Sequence, residues 1–296
     1  MQPTGIIPPV ATPMQANEDL DLPRFRWYLD RLIQEGVHGL FVLGTNSEFY
    51  ALDEHEKQQV IATAVEHVRG RLPVYAGTGA ETTREVIRLT KMAEREKVDG
   101  VSIITPYFIT PNQQEIFDHF RRIAESTSLP VILYNNPATC GGLKIDVDTV
   151  ARLAEIPNIV AVKDSSGDLQ NTIEFVRVVP KRFSVLMGRD TLIFSALQFG
   201  VRGAIPATAN IAPALIAEIY NAFQRGDMKA AQEAQLRLNP IRLALALGSQ
   251  PSGVKSALEL LGLGIGPCRS PIARLTKENQ GKMRKALESA GLACVV

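Results

Sequence analysis

A lysine at the end of an apolar run is the residue of this chain best placed to do chemistry. Ile159-Val-Ala-Val162 is followed by Lys163-Asp-Ser-Ser-Gly167, which sets an amine at the mouth of what reads as a buried parallel strand. Amines desolvated in such places attack carbonyl carbons and form Schiff bases. The competing reading is a strand-end lysine pointing into water, the common fate of that residue type. What favours the reactive reading is the company Lys163 keeps. Other apolar runs end in Gly44-Thr-Asn-Ser-Glu48, Thr105-Pro-Tyr107-Phe108, Tyr134-Asn-Asn-Pro137, Gly188-Arg189-Asp190 and Pro206-Ala-Thr208-Ala-Asn210. Gathered at one mouth, they combine a nucleophile, a phenol able to shuttle protons, and small hydroxyl, amide and peptide N–H groups able to hold a carboxylate. Thr45, Asn46 and Ser47 alone would pass for ordinary loop chemistry.

Elements that can gather these residues are legible in the periodicity. Apolar runs at Ile6–Val10, Leu40–Leu43, Val74–Ala76, Val101–Ile104, Val131–Leu133, Ile159–Val162, Ser184–Met187 and Ala204–Ile205 alternate with helical patterns. Phe25, Tyr28, Leu29, Leu32 and Ile33 form one inward stripe, and Ile116, Phe117, Phe120, Ile123 and Ala124 another. Asp53-x-x-Glu56 and Asn112-x-x-Glu115 have capping-box spacing. Units of roughly 20 to 35 residues suit strand plus crossover helix, and eight of them predict an α/β fold, a closed (β/α)8 TIM barrel. An open doubly wound sheet is the runner-up, but no Gly-x-Gly-x-x-Gly turn follows the first strand. After Gly226 the pattern is helical, with helices expected over Ala230–Leu247, Gly253–Leu261 and Lys277–Ala290. The expected division is a catalytic barrel over 1–225 and a helical extension over 226–296 packed on it.

Composition excludes several other functions. Lys+Arg 32 against Asp+Glu 31 gives no electrostatic reason to bind nucleic acid or an acidic membrane. His38, His55, His67 and His119 are scattered, and Cys140, Cys268 and Cys294 lie too far apart for a zinc site or a disulfide framework, so no metal is expected and the reading is a reducing cytoplasm. The start lacks a secretory pattern, and Arg202, Gly203, Pro206 and Pro213 break the longest apolar region, so no membrane span is expected. A phosphate-binding barrel enzyme would need a glycine-rich nest after strands seven and eight, which the chain scarcely supplies.

The motifs at 44–48, 105–107, 134–137 and 162–167, with Gly203-Ala-Ile-Pro-Ala-Thr-Ala-Asn210, resemble in order and spacing those of the dihydrodipicolinate synthase and N-acetylneuraminate lyase family. The likeness runs nearly end to end and includes Gly5-Ile-Ile-Pro-Pro-Val-Ala-Thr-Pro13. It implies a (β/α)8 barrel with three C-terminal helices, a homotetramer built as a dimer of dimers, and no metal or organic cofactor. It also implies that Lys163 forms the imine, that Tyr134 relays protons with Thr45, and that Thr45 and Asn46 grip the substrate carboxylate. Ile205 matches a residue whose carbonyl lines the site, and Tyr107 an aromatic at a subunit boundary.

Departures from the pattern bear on substrate. Where dihydrodipicolinate synthases carry a second threonine, a glycine, a second tyrosine and an arginine, this chain has Asn46, Ser47, Phe108 and Thr139. Loss of the phenol interrupts the proton relay. Loss of the guanidinium at 139 removes a carboxylate clamp worth about 1.5 to 3 kcal/mol. Asn46 resembles the corresponding residue of 4-hydroxy-2-oxoglutarate aldolases. The expectation is therefore a class I lyase acting on pyruvate or a longer 2-oxo acid. Aldol cleavage of a 4-hydroxy-2-oxo acid or 2-keto-3-deoxy sugar acid ranks ahead of 4-hydroxy-tetrahydrodipicolinate synthesis from pyruvate and aspartate semialdehyde, with dehydration third. A non-catalytic 2-oxo acid-binding paralogue is the alternative of another class.

Overall fold

The computed structural model describes residues 2–295. Eight parallel strands alternate with helices: β1 (Gly5–Ile6), α1 (Leu22–Gln34), β2 (Leu40–Val42), α2 (Glu54–Val68), β3 (Val74–Gly77), α3 (Thr83–Arg95), β4 (Gly100–Ile104), α4 (Gln113–Glu125), β5 (Val131–Asn135), α5 (Val147–Ala154), β6 (Ile159–Asp164), α6 (Leu169–Val178), β7 (Ser184–Met187), α7 (Ile193–Gln198), β8 (Gly203–Ala204) and α8 (Pro213–Gln224). Three further helices follow, α9 (Met228–Ala244), α10 (Ser252–Leu260) and α11 (Lys277–Ser289). Among the described residues no helix is long and apolar enough to cross a membrane.

The strands pair in the order β1-β8-β7-β6-β5-β4-β3-β2. The two ends of that order also meet, since Pro9 bridges Phe41 in parallel and Val10 N donates to Phe41 O at 2.8 Å. The curled parallel sheet and helical C-terminus are consistent with the expected closed barrel. β1 is shorter than the apolar run Ile6–Val10 suggests because Pro8 and Pro9 have no N–H to continue the ladder. β5 and β6 are longer than expected by two residues each, carried on by the pairs Tyr134↔Lys163 and Asn135↔Asp164. Both expected capping boxes form: Asp53 accepts from Glu56 N at the start of α2, and Asn112 from Glu115 N at the start of α4.

Buried apolar side chains divide into two clusters, as the two faces of a curled sheet require. Ile7, Phe41, Tyr75, Ile132, Ala161, Leu186 and Ile205 form a small inner layer drawn from seven strands or the residues just beyond them. Val42, Leu133, Val162 and Val185, each next to an inner residue in sequence, belong to the large cluster shared with the helices.

Candidate active site

Alternation along a strand fixes where the candidate lysine points. Ala161 faces the inner layer, so Lys163, two residues on, continues that face one step nearer the carboxyl end, and Ile132 does the same for Tyr134 on the neighbouring strand. Lys163 is 4% exposed. Its Nζ lies 4.0 Å from the centre of the Tyr134 ring and 5.6 Å from that of Phe41. No hydrogen bond or ion pair holds this amine among the described residues. Asp164, the adjacent carboxylate, points the other way, where Asn135, Ser166, Asn171 and Thr172 donate to it. Asn136 Nδ2 donates to Tyr134 Oη at 3.0 Å, which leaves the phenol's own hydrogen for another acceptor.

After β2 the chain makes a short 3-10 turn over Thr45–Ser47, and Glu48 takes a left-handed conformation at φ 59°. Ser47 secures this turn: its hydroxyl donates to Val10 O and accepts from Gly44 N, and Thr12 Oγ1 donates to Ser47 O at 2.9 Å. Glu48 is fully buried, with Oε1 2.7 Å from Lys255 Nζ and Oε2 accepting from Arg269 N at 2.7 Å. The turn is thus fastened from both sides, and its other two side chains are left unsatisfied. Thr45 Oγ1 and Asn46 Oδ1 are buried without a hydrogen-bond partner among the described residues. Buried polar atoms are nearly always paired, so two orphans facing one cavity mark a place where a ligand's polar group fits.

That cavity, of about 220 Å³, is lined by Thr45, Asn46, Tyr134, Thr139, Lys163 and Ile205. Six of the seven candidate site residues therefore come together. The seventh, Tyr107, lines an adjoining apolar hollow of about 440 Å³, which also takes in Thr45, Phe49 and Thr139. Burial and the Glu81 carboxylate push the Tyr107 phenol up from its ordinary value. Ile205 N donates to Met187 O and its side chain joins the inner layer, so its carbonyl is the main-chain group left for the cavity. Thr139 is exposed at the rim, and Phe108 points away from the cavity at 93% exposure. Neither completes a proton relay or a cationic clamp.

Three lining residues lie where sequence reasoning did not look for a role: Arg189 after β7, Arg242 on α9 and Gln250 before α10. Arg189 stood among the strand-end residues without an assigned task. Arg242 and Gln250 belong to a helical layer read only as packing, and nothing local in their sequence signals a site.

The chain matches the profile of the dihydrodipicolinate synthetase family over residues 2–290. It belongs to that family. A 4-hydroxy-tetrahydrodipicolinate synthase of Methanothrix thermoacetophila is 38% identical over 284 residues, 96% of this chain and 95% of the relative. Among solved structures, dihydrodipicolinate synthase from Thermotoga maritima superposes with a TM-score of 0.96 at 29% identity, covering 99% of this chain and 100% of that one. YagE of E. coli K12, a prophage protein of the dihydrodipicolinic acid synthase family solved in complex with pyruvate, superposes at 0.93 with 32% identity over 98% of this chain and 99% of its own. Members of this family are enzymes, and this chain is one of them.

Proposed function

We propose that Lys163 forms an imine with pyruvate or a longer 2-oxo acid and that the derived enamine makes or breaks a carbon–carbon bond. The observation that carries this reading is the buried, partnerless amine of Lys163 against the Tyr134 ring, at the floor of a cavity with unsatisfied polar atoms at Thr45 and Asn46. Lys163 Nζ attacks the ketone carbon, the carbonyl oxygen leaves as water, and the imine nitrogen retains the electron demand. Loss of a proton from C3 gives the enamine. Attack of C3 on an aldehyde, followed by hydrolysis of the imine, releases the condensation product; the reverse sequence is aldol cleavage. Tyr134 is the acid and base for these transfers, and the Thr45 hydroxyl with the peptide N–H groups near Thr45 and Asn46 holds the carboxylate next to the imine. The electron sink is the lysine imine itself, so no separate cofactor is invoked.

The direction and the partner are the finer part of the proposal. The name shared by the curated relatives supports condensation with aspartate semialdehyde more strongly than it supports aldol cleavage, which the sequence ranked first. Phe108 turned outward and the uncharged Thr139 at the rim favour cleavage as the second reading. The assembly is part of the same proposal: Phe108 and Ile109, 93% and 69% exposed beside Tyr107, offer an apolar rim to a second copy. Sedimentation of the wild type as an oligomer, shifted toward monomer by Phe108→Ser, is the expected result.

Borohydride reduction in the presence of pyruvate, followed by intact-mass spectrometry, tests the central step. The wild type is expected to gain one reduced pyruvate adduct and Lys163→Ala none. An adduct persisting in that variant removes Lys163 from the mechanism.

A further inference from the structure

The cavity carries more positive charge than an imine-forming site for a single carboxylate requires. Its charged lining groups are Lys163, Arg189, Asp190 and Arg242. Asp190 is 1% exposed, and its Oδ2 is already engaged by Thr208 N at 2.8 Å and Thr208 Oγ1 at 2.6 Å. Its Oδ1 lies 3.6 Å from Arg242 Nε, which is too long for a hydrogen bond, and that Nε is buried without a partner among the described residues. The Arg189 side chain has no hydrogen bond or ion pair among the described residues. Its guanidinium lies over Gly167, where a Cβ would meet Nε at 3.2 Å and Nη2 at 3.4 Å. The cavity lining thus sets one carboxylate, mostly spent on Thr208, against two guanidinium groups with open donors.

The backbone that carries each arginine is held in place. Gly188 lets the end of β7 close on β6, since a Cβ there would stand 2.0 Å from Ser165 Oγ and 2.9 Å from Asp164 O. Arg242 is fixed by its helix. Gln235, two turns earlier on the same face of α9, donates to Asp190 O at 2.9 Å and accepts from Phe194 N at 2.9 Å. α9 is thereby latched to the loop after β7, and Arg242 is brought over the cavity.

We propose that Arg189 and Arg242 form a second carboxylate subsite, selecting substrates that carry an anionic group at the end remote from the imine. The inference rests on the imine reading of Lys163 and deepens it: the substrate class becomes a 2-oxo acid, or an aldehyde partner, with a distal carboxylate. Two guanidinium groups with unmet donors favour such a ligand and penalise one that ends in an apolar group, because the donors then stay unpaired. The charge is then supplied after β7 and from α9, whereas Thr139 in the same lining has none to offer.

Matched ligands differing only at the far end test it. 2-Oxoglutarate against 2-oxovalerate, and 2-oxoadipate against 2-oxohexanoate, are titrated into the protein, reduced with borohydride and followed by mass spectrometry. In the wild type at least one dicarboxylate is expected to half-saturate labelling at about tenfold lower concentration than its partner. In Arg189→Met and Arg242→Met that ratio falls to within about twofold of unity, while Arg242→Lys keeps part of it. The ratio compares two ligands in one variant, so a general loss of folding cancels. A wild-type ratio near unity at both chain lengths, or a ratio unchanged in both methionine variants, overturns the subsite. Failure of pyruvate and all four acids to label overturns the imine reading instead. The subsite is then read by calorimetric titration of glutarate against valerate: tighter glutarate binding that both methionine variants lose supports it, and equal binding overturns it.

Discussion

Lys163 and Tyr134 are register partners on adjacent strands, so their approach is set by the ladder and not by a loop. The ring supplies a face to the amine, and its hydroxyl is the only part that can move a proton. Tyr134→Phe separates these roles. It keeps the packing over Lys163, deletes the hydroxyl and leaves Asn136 Nδ2 without its acceptor. Exchange of the pyruvate methyl protons into deuterated water, followed by NMR, reports enamine formation without needing the second substrate. In this variant the exchange is expected to slow by about 10²- to 10⁴-fold, the range for loss of a positioned acid–base group. Exchange at the wild-type rate would remove Tyr134 from proton transfer. Lysine and tyrosine were legible as candidates because each follows an apolar run. The placing of Ser47 and Arg189 was not, since a hydroxyl that pins a turn and a guanidinium without a partner differ from surface residues only in their three-dimensional neighbours.

At the scale of elements, the strands and helices followed from periodicity because burial on both faces of a parallel strand leaves a continuous apolar run. The ends of β5 and β6 did not, since a change from apolar to polar residues ordinarily closes a strand and here the ladder continues through it. The α3–α4 layer carries a consequence for pH. His119 on α4 is 5% exposed, its Nδ1 sits 2.9 Å from Thr83 Oγ1 at the start of α3, and its Nε2 is buried without a partner among the described residues. Burial, reinforced by the Arg122 charge, pushes this imidazole down from 6.5 to about 4. As pH falls the unfolded chain takes up its proton first, so stability present above pH 6.5 is lost progressively down to about pH 4, by about 3 kcal/mol in total. Urea denaturation at neutral pH and near the folded value measures the loss. His119→Gln is expected to lose about 2 to 3 kcal/mol less than the wild type between those two conditions. Identical losses would show that His119 does not titrate on unfolding.

Across the whole molecule, the helices after the eighth strand do more than cover the barrel. They bring Arg242 and Gln250 to the cavity and Lys255 to the turn that bears Thr45 and Asn46. Sequence periodicity marks such helices but cannot say which barrel loop they reach, because that contact spans some two hundred residues of chain. Lys255 is 4% exposed on α10, donates to Pro267 O at 2.5 Å and pairs with the fully buried Glu48. Removing one member of a buried ion pair strands the other charge, at a cost of about 3 to 5 kcal/mol, whereas removing both charges together costs far less. Lys255→Met is therefore expected to lower unfolding free energy by that amount, and Lys255→Met with Glu48→Gln to recover at least half of it. Glu48 directly follows the Thr45–Ser47 turn, so the stranded charge should also displace that turn and weaken pyruvate capture in the single variant more than in the double. Chemical denaturation gives the first comparison and borohydride labelling at graded pyruvate concentrations the second. If both variants lose stability equally while labelling is untouched, the pair contributes packing alone and α10 does not hold the Thr45–Ser47 turn.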